Sequence, residues 1–412
     1  SGMQAYSSHM NLTRGNWSTS VVALAMLWSG TTAAWAQVKL GIDILVEDGF
    51  RRVAGARVGL ITNHTGVDAT GRRTIDLLHD AANVELVRLF SPEHGLSGTF
   101  DEKVGHGRDE KTGLAVFSLY GETRKPTAEM LAGIDVLVFD IQDIGVRFYT
   151  YISTLGNAME AAGAQGVRVV VLDRPNPIAP LGADGPFADA DKLSFVAYAP
   201  IPVVHGLTVG ELARLFNATL NMKCTLDVVQ MGDWKRSMWW DATGLMWVNP
   251  SPNIRNPTQA LLYPAIGLLE FTNLSVGRGT DQPFEQLGAP WIDGRALARA
   301  LNESRLPGLR FTPITFTPTS SKFAGEVCEG VYVAVTDRSV VRPVRTGLAI
   351  AACLRRLFSE DFDPAEMNKL LVNDDVHDAW REQPSIAPDE SSWGEDLRSW
   401  RKRIETIRLY PE

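Results

Sequence analysis

Short apolar runs rich in Val, Leu, Ile and Phe recur through the first part of the chain, at residues 58–61, 84–90, 114–120, 135–140, 167–172 and 226–231. Each has the length and β-branched content of a mostly buried strand. Between them, apolar positions fall at helical spacing over residues 41–50, 74–80, 127–131, 151–162 and 208–216. The last of these starts with Thr208 and has Glu211 three residues on, a capping box that gives Glu211 a structural task. Strands alternating with helices at this spacing predict a parallel sheet covered by helices on both faces. Right-handed crossovers then place every strand's carboxyl end on one edge.

That edge collects chemistry. The run at 84–90 stops in Ser91-Pro92-Glu93-His94-Gly95. Pro92 cannot donate to a ladder and Gly95 relaxes the backbone, so an acid and an imidazole stand where the strand ends. Asn63 and His64 follow the first run, Asp140 and Asp143 close the fourth, and Asp173, Arg174 and Asn176 close the fifth. Caps and turns use the same residue types. Four polar clusters on one edge exceed that need and predict a shared site, because ligands of open α/β sheets bind at carboxyl ends of strands. Residues 95–113, rich in Gly and charge, read as a loop over it.

Prolines crowd between residues 250 and 257 and mark a boundary. Beyond it, residues 260–271, 347–358 and 395–407 read as helices and 309–318 and 330–337 as strands, a mixed α+β domain. The divisions are 1–36, 37–252 and 253–412. The first carries Arg14, an apolar centre and Ala34-Trp35-Ala36, the pattern of a secretory signal cleaved before Gln37. Its apolar run is too short to span a bilayer. The expectation is a bacterial periplasmic or secreted protein with no stable membrane anchor after cleavage.

Composition narrows this further. A net charge of −8 with no basic run argues against a nucleic acid partner. Cys224, Cys328 and Cys353 are isolated and lack both metal spacing and a disulfide framework, leaving one bridge or three buried thiols open. No His, Glu or Cys cluster has zinc spacing, so neither metal nor cofactor is expected. The Gly277-Arg278-Gly279-Thr280-Asp281 loop does not match a phosphate-binding motif. Thr319-Ser320-Ser321-Lys322 is not a Ser-x-x-Lys box, since Thr319 holds its first position. Trp234, Trp239, Trp240 and Trp247 suit either a sugar platform or a packed interface. What remains is carboxylate, imidazole, Arg and Tyr chemistry, which fits acid/base hydrolysis. Glycoside cleavage needs an acid at the leaving oxygen and a second group. Glu93 is the candidate acid, His94, Asp140 and Asp143 are the candidates beside it.

Ser91-Pro92-Glu93-His94-Gly95, Phe139-Asp140-Ile141-Gln142-Asp143-Ile144-Gly145, Arg147-Phe148-Tyr149-Thr150-Tyr151, Leu172-Asp173-Arg174-Pro175-Asn176-Pro177 and Asn249-Pro250-Ser251-Pro252-Asn253 occur in this order. Together they resemble the NamZ-type exo-β-N-acetylmuramidases, from about Gly41 to the C-terminus. The resemblance implies an α/β fold, a Rossmann-like doubly wound parallel sheet with a second, smaller α+β domain and a cleft between them. It implies removal of N-acetylmuramic acid from non-reducing ends of peptidoglycan fragments, with Glu93 catalytic. Muramic-acid-terminated saccharides are then the partners, and Asn63, His64, Arg147, Tyr149, Tyr151, Asp173, Arg174, Asn176, His205 and Asn253 are the expected substrate-binding residues. The sugar's lactyl carboxylate calls for a cation, and Arg147 or Arg174 is the expected reader, with a structural ion pair to Asp140, Asp143 or Asp173 as the competing role. Two other readings stay open: another peptidoglycan hydrolase, an amidase or glucosaminidase, and a non-catalytic wall-sugar binder.

Overall fold

Seven strands make the main sheet of the computed structural model, which describes residues 37–98, 105–384 and 391–412. The signal segment lies outside the described residues. In chain order the strands are β1 (Arg57–Thr62), β2 (Glu85–Ser91), β3 (Gly107–Arg108), β4 (Ala115–Ser118), β5 (Val136–Asp140), β6 (Arg168–Leu172), β7 (Asp184–Phe187), β8 (Pro202–Val204), β9 (Leu226–Val229), β10 (Gln286–Ala289), β11 (Leu309–Phe316) and β12 (Cys328–Val335). The main sheet runs β3-β4-β2-β1-β5-β6-β9. All neighbours are parallel except β3, which is antiparallel to β4. Setting that two-residue edge aside, the order is third, second, first, fourth, fifth, sixth, the doubly wound arrangement whose direction of winding reverses between β1 and β5.

The sheet's side chains alternate between two apolar layers. Val58, Leu60, Val136, Val138, Val170 and Leu172 face helices α1 (Gly41–Glu47) and α2 (Thr74–Asp80). Ile61, Leu137, Phe139, Val169 and Val171 point the other way, toward α3 (Ala128–Leu131), α4 (Tyr151–Gln165) and α5 (Val209–Thr219). A one-residue slip would exchange the two faces, so the pleat fixes the register. Gly41 opens α1 because a Cβ there would sit 2.4 Å from the backbone nitrogen of Asp173.

The second layer continues without a break into the rest of the chain. Helix α6 (Pro257–Ile266) packs on α8 (Pro343–Leu357), and α7 (Gly294–Glu303) covers the antiparallel sheet β10-β12-β11. The last segment turns back: Tyr410 donates its hydroxyl to Asp173, and the Leu409 N–H donates to Glu211. The short α9 (Asn368–Leu371), α10 (Asp374–Glu382) and α11 (Ser391–Ile404) complete the helices.

The helices and strands read from hydrophobic spacing are all present, with ends shifted by a few residues. β3, β7, β8, β10, α7, α9 and α10 escape that reading. β7 carries Gly and Pro in its four residues, β8 has three residues and β10 four, too short for periodicity to register. α7 had a usable signal: Asp293 caps it, accepting from Arg295 and Ala296 N–H groups, and Leu297, Ala298 and Leu301 fall on one buried face. The three cysteines are buried free thiols. Burial pushes those of Cys224 and Cys328 up to about 11, which keeps them protonated and unreactive. Among the described residues no helix is long and apolar enough to cross a membrane.

Candidate active site

The parallel pairings put the ends of β2, β1, β5 and β6 side by side, and the predicted clusters meet there. Glu93 is half-buried, and the Thr150 hydroxyl donates to its Oε2. Tyr120, just past β4, stands beside the same carboxylate. Burial first, and then the carboxylate's proximity, push the Tyr120 hydroxyl up to about 12. It stays protonated. One hydroxyl therefore holds the carboxyl group and a second stands beside it. His94 follows with φ 69, a left-handed conformation that is unfavourable for a residue bearing a Cβ. Strain of this kind turns the chain sharply after Glu93.

Asn63 anchors the adjoining loop. Its Oδ1 accepts from the backbone N–H and hydroxyl of Thr65, at 2.9 and 2.6 Å, and its amide donates to the Tyr151 hydroxyl at 3.2 Å. Tyr151 in turn donates to the Pro250 carbonyl at 2.5 Å, and the His64 Nε2 lies 2.5 Å from the Asn249 carbonyl. The 249–253 loop, with buried Asn253, is thereby fastened across the ends of β1 and α4. Burial lowers the pKa of His64, opposed by the Asn249 carbonyl and reinforced by His94. The ring is neutral near pH 7. A cleft of about 680 Å³ opens beside β1, β2 and β4, lined in part by Asn63, His64, Ser91 and Arg108. Glu93 does not line it; its carboxylate is held instead at Thr150.

Several expected ligand contacts prove to be internal. Asp140 is fully buried and accepts from Thr74 at 2.5 Å and from Arg174 Nε and Nη2 at 2.6 and 3.0 Å. Arg174 adds a bond to the Val67 carbonyl. This bidentate pair stitches β5 to the loop after β6, the structural ion pair that stood as the competing role for Arg174. Arg147 is fully buried and donates to the carbonyls of Pro186, Ile201, Leu370 and Leu371. Burial opposes its charge, and the field of Asp189 favours it. It ties β7 and β8 to α9, and the expectation that it reads a lactyl group is corrected. Asp173 accepts from Tyr410, Thr208 and the Gly210 N–H, clamping the C-terminus to α5. Asn176 bridges the Leu207 carbonyl and the Ile178 N–H. Both were expected at substrate and are structural instead. A strand-end polar residue is equally able to satisfy loop backbone, and only tertiary contacts tell the two uses apart.

Asp143 differs. It is buried, its Oδ2 accepts from the Gly145 N–H at 2.7 Å, and its Oδ1 has no hydrogen-bond partner. Burial pushes its carboxyl up to about 7, against the backbone N–H groups of Gly145 and Ile144. His205 lies below it, Nε2 3.9 Å from Oδ2. Its Nδ1 accepts from the Leu207 N–H, so the proton sits on Nε2, and burial pushes its pKa down to about 3. His205 is therefore a neutral, sealed neighbour of Asp143 and not a substrate contact. Three tyrosine rings cover this pair: Tyr149 meets Tyr151 at 5.0 Å and Tyr263 at 5.7 Å, both edge to face.

The raised Asp143 pKa carries a sign. The folded state holds this proton from about pH 4 to about 7 where the unfolded chain releases it. The stabilisation is complete below the unfolded value and is lost as pH rises through about 7. Asp173, pushed by burial up to about 6, works in the same direction, and His205 in the opposite one. The difference between wild type and Asp143→Asn isolates the first group. Urea midpoints are expected to fall more steeply in wild type than in the variant between those pH values. Parallel pH profiles would show that Asp143 is ionised throughout.

Thr150, Tyr120 and Tyr263 were missed from sequence. Tyr120 ends an apolar run on the same edge, and that position was a usable signal. Tyr263 lies within an apolar helix, where nothing local separates it from core. The tryptophans form packed contacts: Trp240 meets Trp247 at 4.9 Å and Trp234 meets Tyr410 at 5.0 Å. Among the described residues, no group of three His, Cys, Asp or Glu is gathered as if for a metal.

Comparison with known proteins agrees with this architecture. The N-terminal model of the exo-beta-N-acetylmuramidase NamZ family matches residues 58–258, and its C-terminal model matches residues 261–410. The peptidoglycan beta-N-acetylmuramidase NamZ of Bacillus subtilis (strain 168) is 43% identical over 384 residues, covering 92% of this chain and 93% of that protein. A crystal structure of a DUF1343 family protein from Bacteroides fragilis NCTC 9343 superposes with a TM-score of 0.85 at 39% identity, over 91% of this chain and 99% of that one. A second from the same organism gives 0.75 at 27% identity, over 92% and 100%.

Proposed function

The chain belongs to the exo-β-N-acetylmuramidase NamZ family, and on that premise we propose that it is a glycoside hydrolase that removes terminal, non-reducing N-acetylmuramic acid from peptidoglycan fragments. Glu93 is its catalytic acid. The observation that carries this role is the carboxyl group itself, oriented by Thr150 at a strained turn on the ligand-binding edge of the sheet, with Tyr120 beside it. Such a group protonates the glycosidic oxygen as the bond to the sugar breaks. Of the two aspartates considered beside it, Asp140 is occupied by Arg174, and Asp143 keeps an unpartnered oxygen and a proton up to about pH 7. Export to the periplasm or exterior, where peptidoglycan lies, follows from the signal pattern and belongs to the same proposal.

The test is sugar release by the mature chain from a muramic-acid-terminated disaccharide and its glucosamine-terminated counterpart. Free N-acetylmuramic acid from the first alone is the expected result. Release from the second alone would make the protein a glucosaminidase. Binding of both without turnover would make it a wall-sugar binder.

A further inference from the structure

One cation close to Glu93 has no task in the site described above. The parallel register of β2 and β4 pairs Ser91 with Ser118, and the Leu119 N–H donates to the Ser91 carbonyl at 2.8 Å. Glu93 and Tyr120 each follow that pair by two residues, so the two strand ends carry them side by side. The chain then turns through Gly121 and Glu122. The Thr123 hydroxyl closes the turn, donating to the Lys125 carbonyl at 2.7 Å and accepting from the Lys125 N–H at 3.1 Å. Asn157 on α4 donates its amide to the Arg124 carbonyl at 3.0 Å. The backbone of Arg124 is thereby pinned next to Tyr120.

The Arg124 side chain is held by its flat face. Its Cζ stands 4.4 Å from the centre of the Phe195 ring and 5.4 Å from that of Tyr120. The two rings lie 6.0 Å apart, and Ser153 on α4 fixes Phe195 by donating to its carbonyl at 2.7 Å. A guanidinium placed over aromatic rings is attracted through its face, which leaves the N–H groups at its edge free to donate.

Those N–H groups are not used inside the fold. Among the described residues the exposed Arg124 guanidinium makes neither a hydrogen bond nor an ion pair. Glu160, the acid on the adjoining helix, is taken by Lys125 and Tyr198. Arg147 and Arg174, by contrast, spend their donors on carbonyls and on Asp140. The Tyr120 hydroxyl feels both charges, the Glu93 carboxylate raising its pKa and Arg124 lowering it. One tyrosine side chain therefore separates an open donor fork from the Glu93 carboxyl group.

We infer that Arg124 is the specificity-determining group that binds the substrate's lactyl carboxylate while Glu93 addresses the glycosidic oxygen of the same sugar. The inference rests on the proposed muramidase activity. In muramic acid the anomeric carbon and the carbon bearing the lactyl ether are separated by one ring carbon, so acid and reader must stand within the width of one sugar. A guanidinium binds a carboxylate with directed, charge-assisted hydrogen bonds, and these are lost when the acid is capped as an amide.

The test uses 4-nitrophenyl β-glycosides of N-acetylmuramic acid and of its lactyl methylamide, with wild type, Arg124→Gln and Arg124→Lys. Wild type is expected to favour the free acid. Arg124→Gln is expected to raise KM for the acid by about 10- to 100-fold and to leave the amide's KM close to that of wild type. Arg124→Lys should restore part of the lost affinity. Equal use of acid and amide by wild type, or an unchanged acid-to-amide ratio in Arg124→Gln, overturns the inference. A fall in kcat that is the same for both substrates also overturns it, since Arg124 would then act only by positioning Tyr120. Turnover of neither substrate by wild type overturns the activity. Calorimetric titration of wild type and Arg124→Gln with free N-acetylmuramic acid and its lactyl amide then decides the inference separately: equal affinities for the two in wild type exclude a carboxylate reader, and a preference for the acid that Arg124→Gln abolishes supports one.

Discussion

Glu93→Gln is expected to lower kcat/KM for N-acetylmuramic acid release by about 10²- to 10⁴-fold, the range by which a positioned general acid accelerates a reaction. The substitution preserves shape. The amide oxygen still accepts from Thr150, so the turn and the hydroxyl that fixes it remain in place. The lost quantity is a dissociable proton at the leaving oxygen. An unchanged thermal midpoint with lost turnover is therefore the expected pair of results. The deficit should shrink for aryl glycosides with acidic phenols, whose departure needs little protonation. Full activity in Glu93→Gln would remove Glu93 from the chemistry. A deficit equal for acidic and poor leaving groups would make it a nucleophile or base in place of an acid.

The second large effect is on stability. Asp140→Ala is expected to destabilise the protein by about 3–5 kcal/mol, because it strands the Arg174 guanidinium in a site that excludes water. Arg174 is almost fully buried, and beyond Asp140 its guanidinium donates to the Val67 carbonyl. Thr74 also loses its acceptor, which loosens the start of α2. Urea unfolding monitored by tryptophan fluorescence measures the loss. Asp140→Leu combined with Arg174→Met is expected to cost less than the two single changes summed, since no unpaired charge is left. If Asp140→Ala proves as stable as wild type yet inactive, the aspartate belongs to the reaction and the structural reading fails.

Arg147 and Arg174 show where sequence reading stops. Both looked equally able to meet an anion. Arg147 follows a strand end, as a ligand-binding residue would, but the segment after it folds under β7 and β8 and its guanidinium is enclosed by four carbonyls. Arg174 faces Asp140 because parallel pairing brings the ends of β5 and β6 together.

The alternation of apolar and polar positions by itself determined the strands, the helices between them, the parallel sheet and the edge on which strand-end chemistry gathers. It could do so because periodicity and crossover handedness are local properties of a chiral chain. The motifs at Glu93 and Asn249 to Asn253 likewise announced the family. Tertiary structure alone decided which polar side chains are occupied by one another and which are left for a ligand. Hydrogen-bond satisfaction is a contest among groups distant in sequence, and a buried carboxylate or guanidinium takes whichever partner the packing brings within reach.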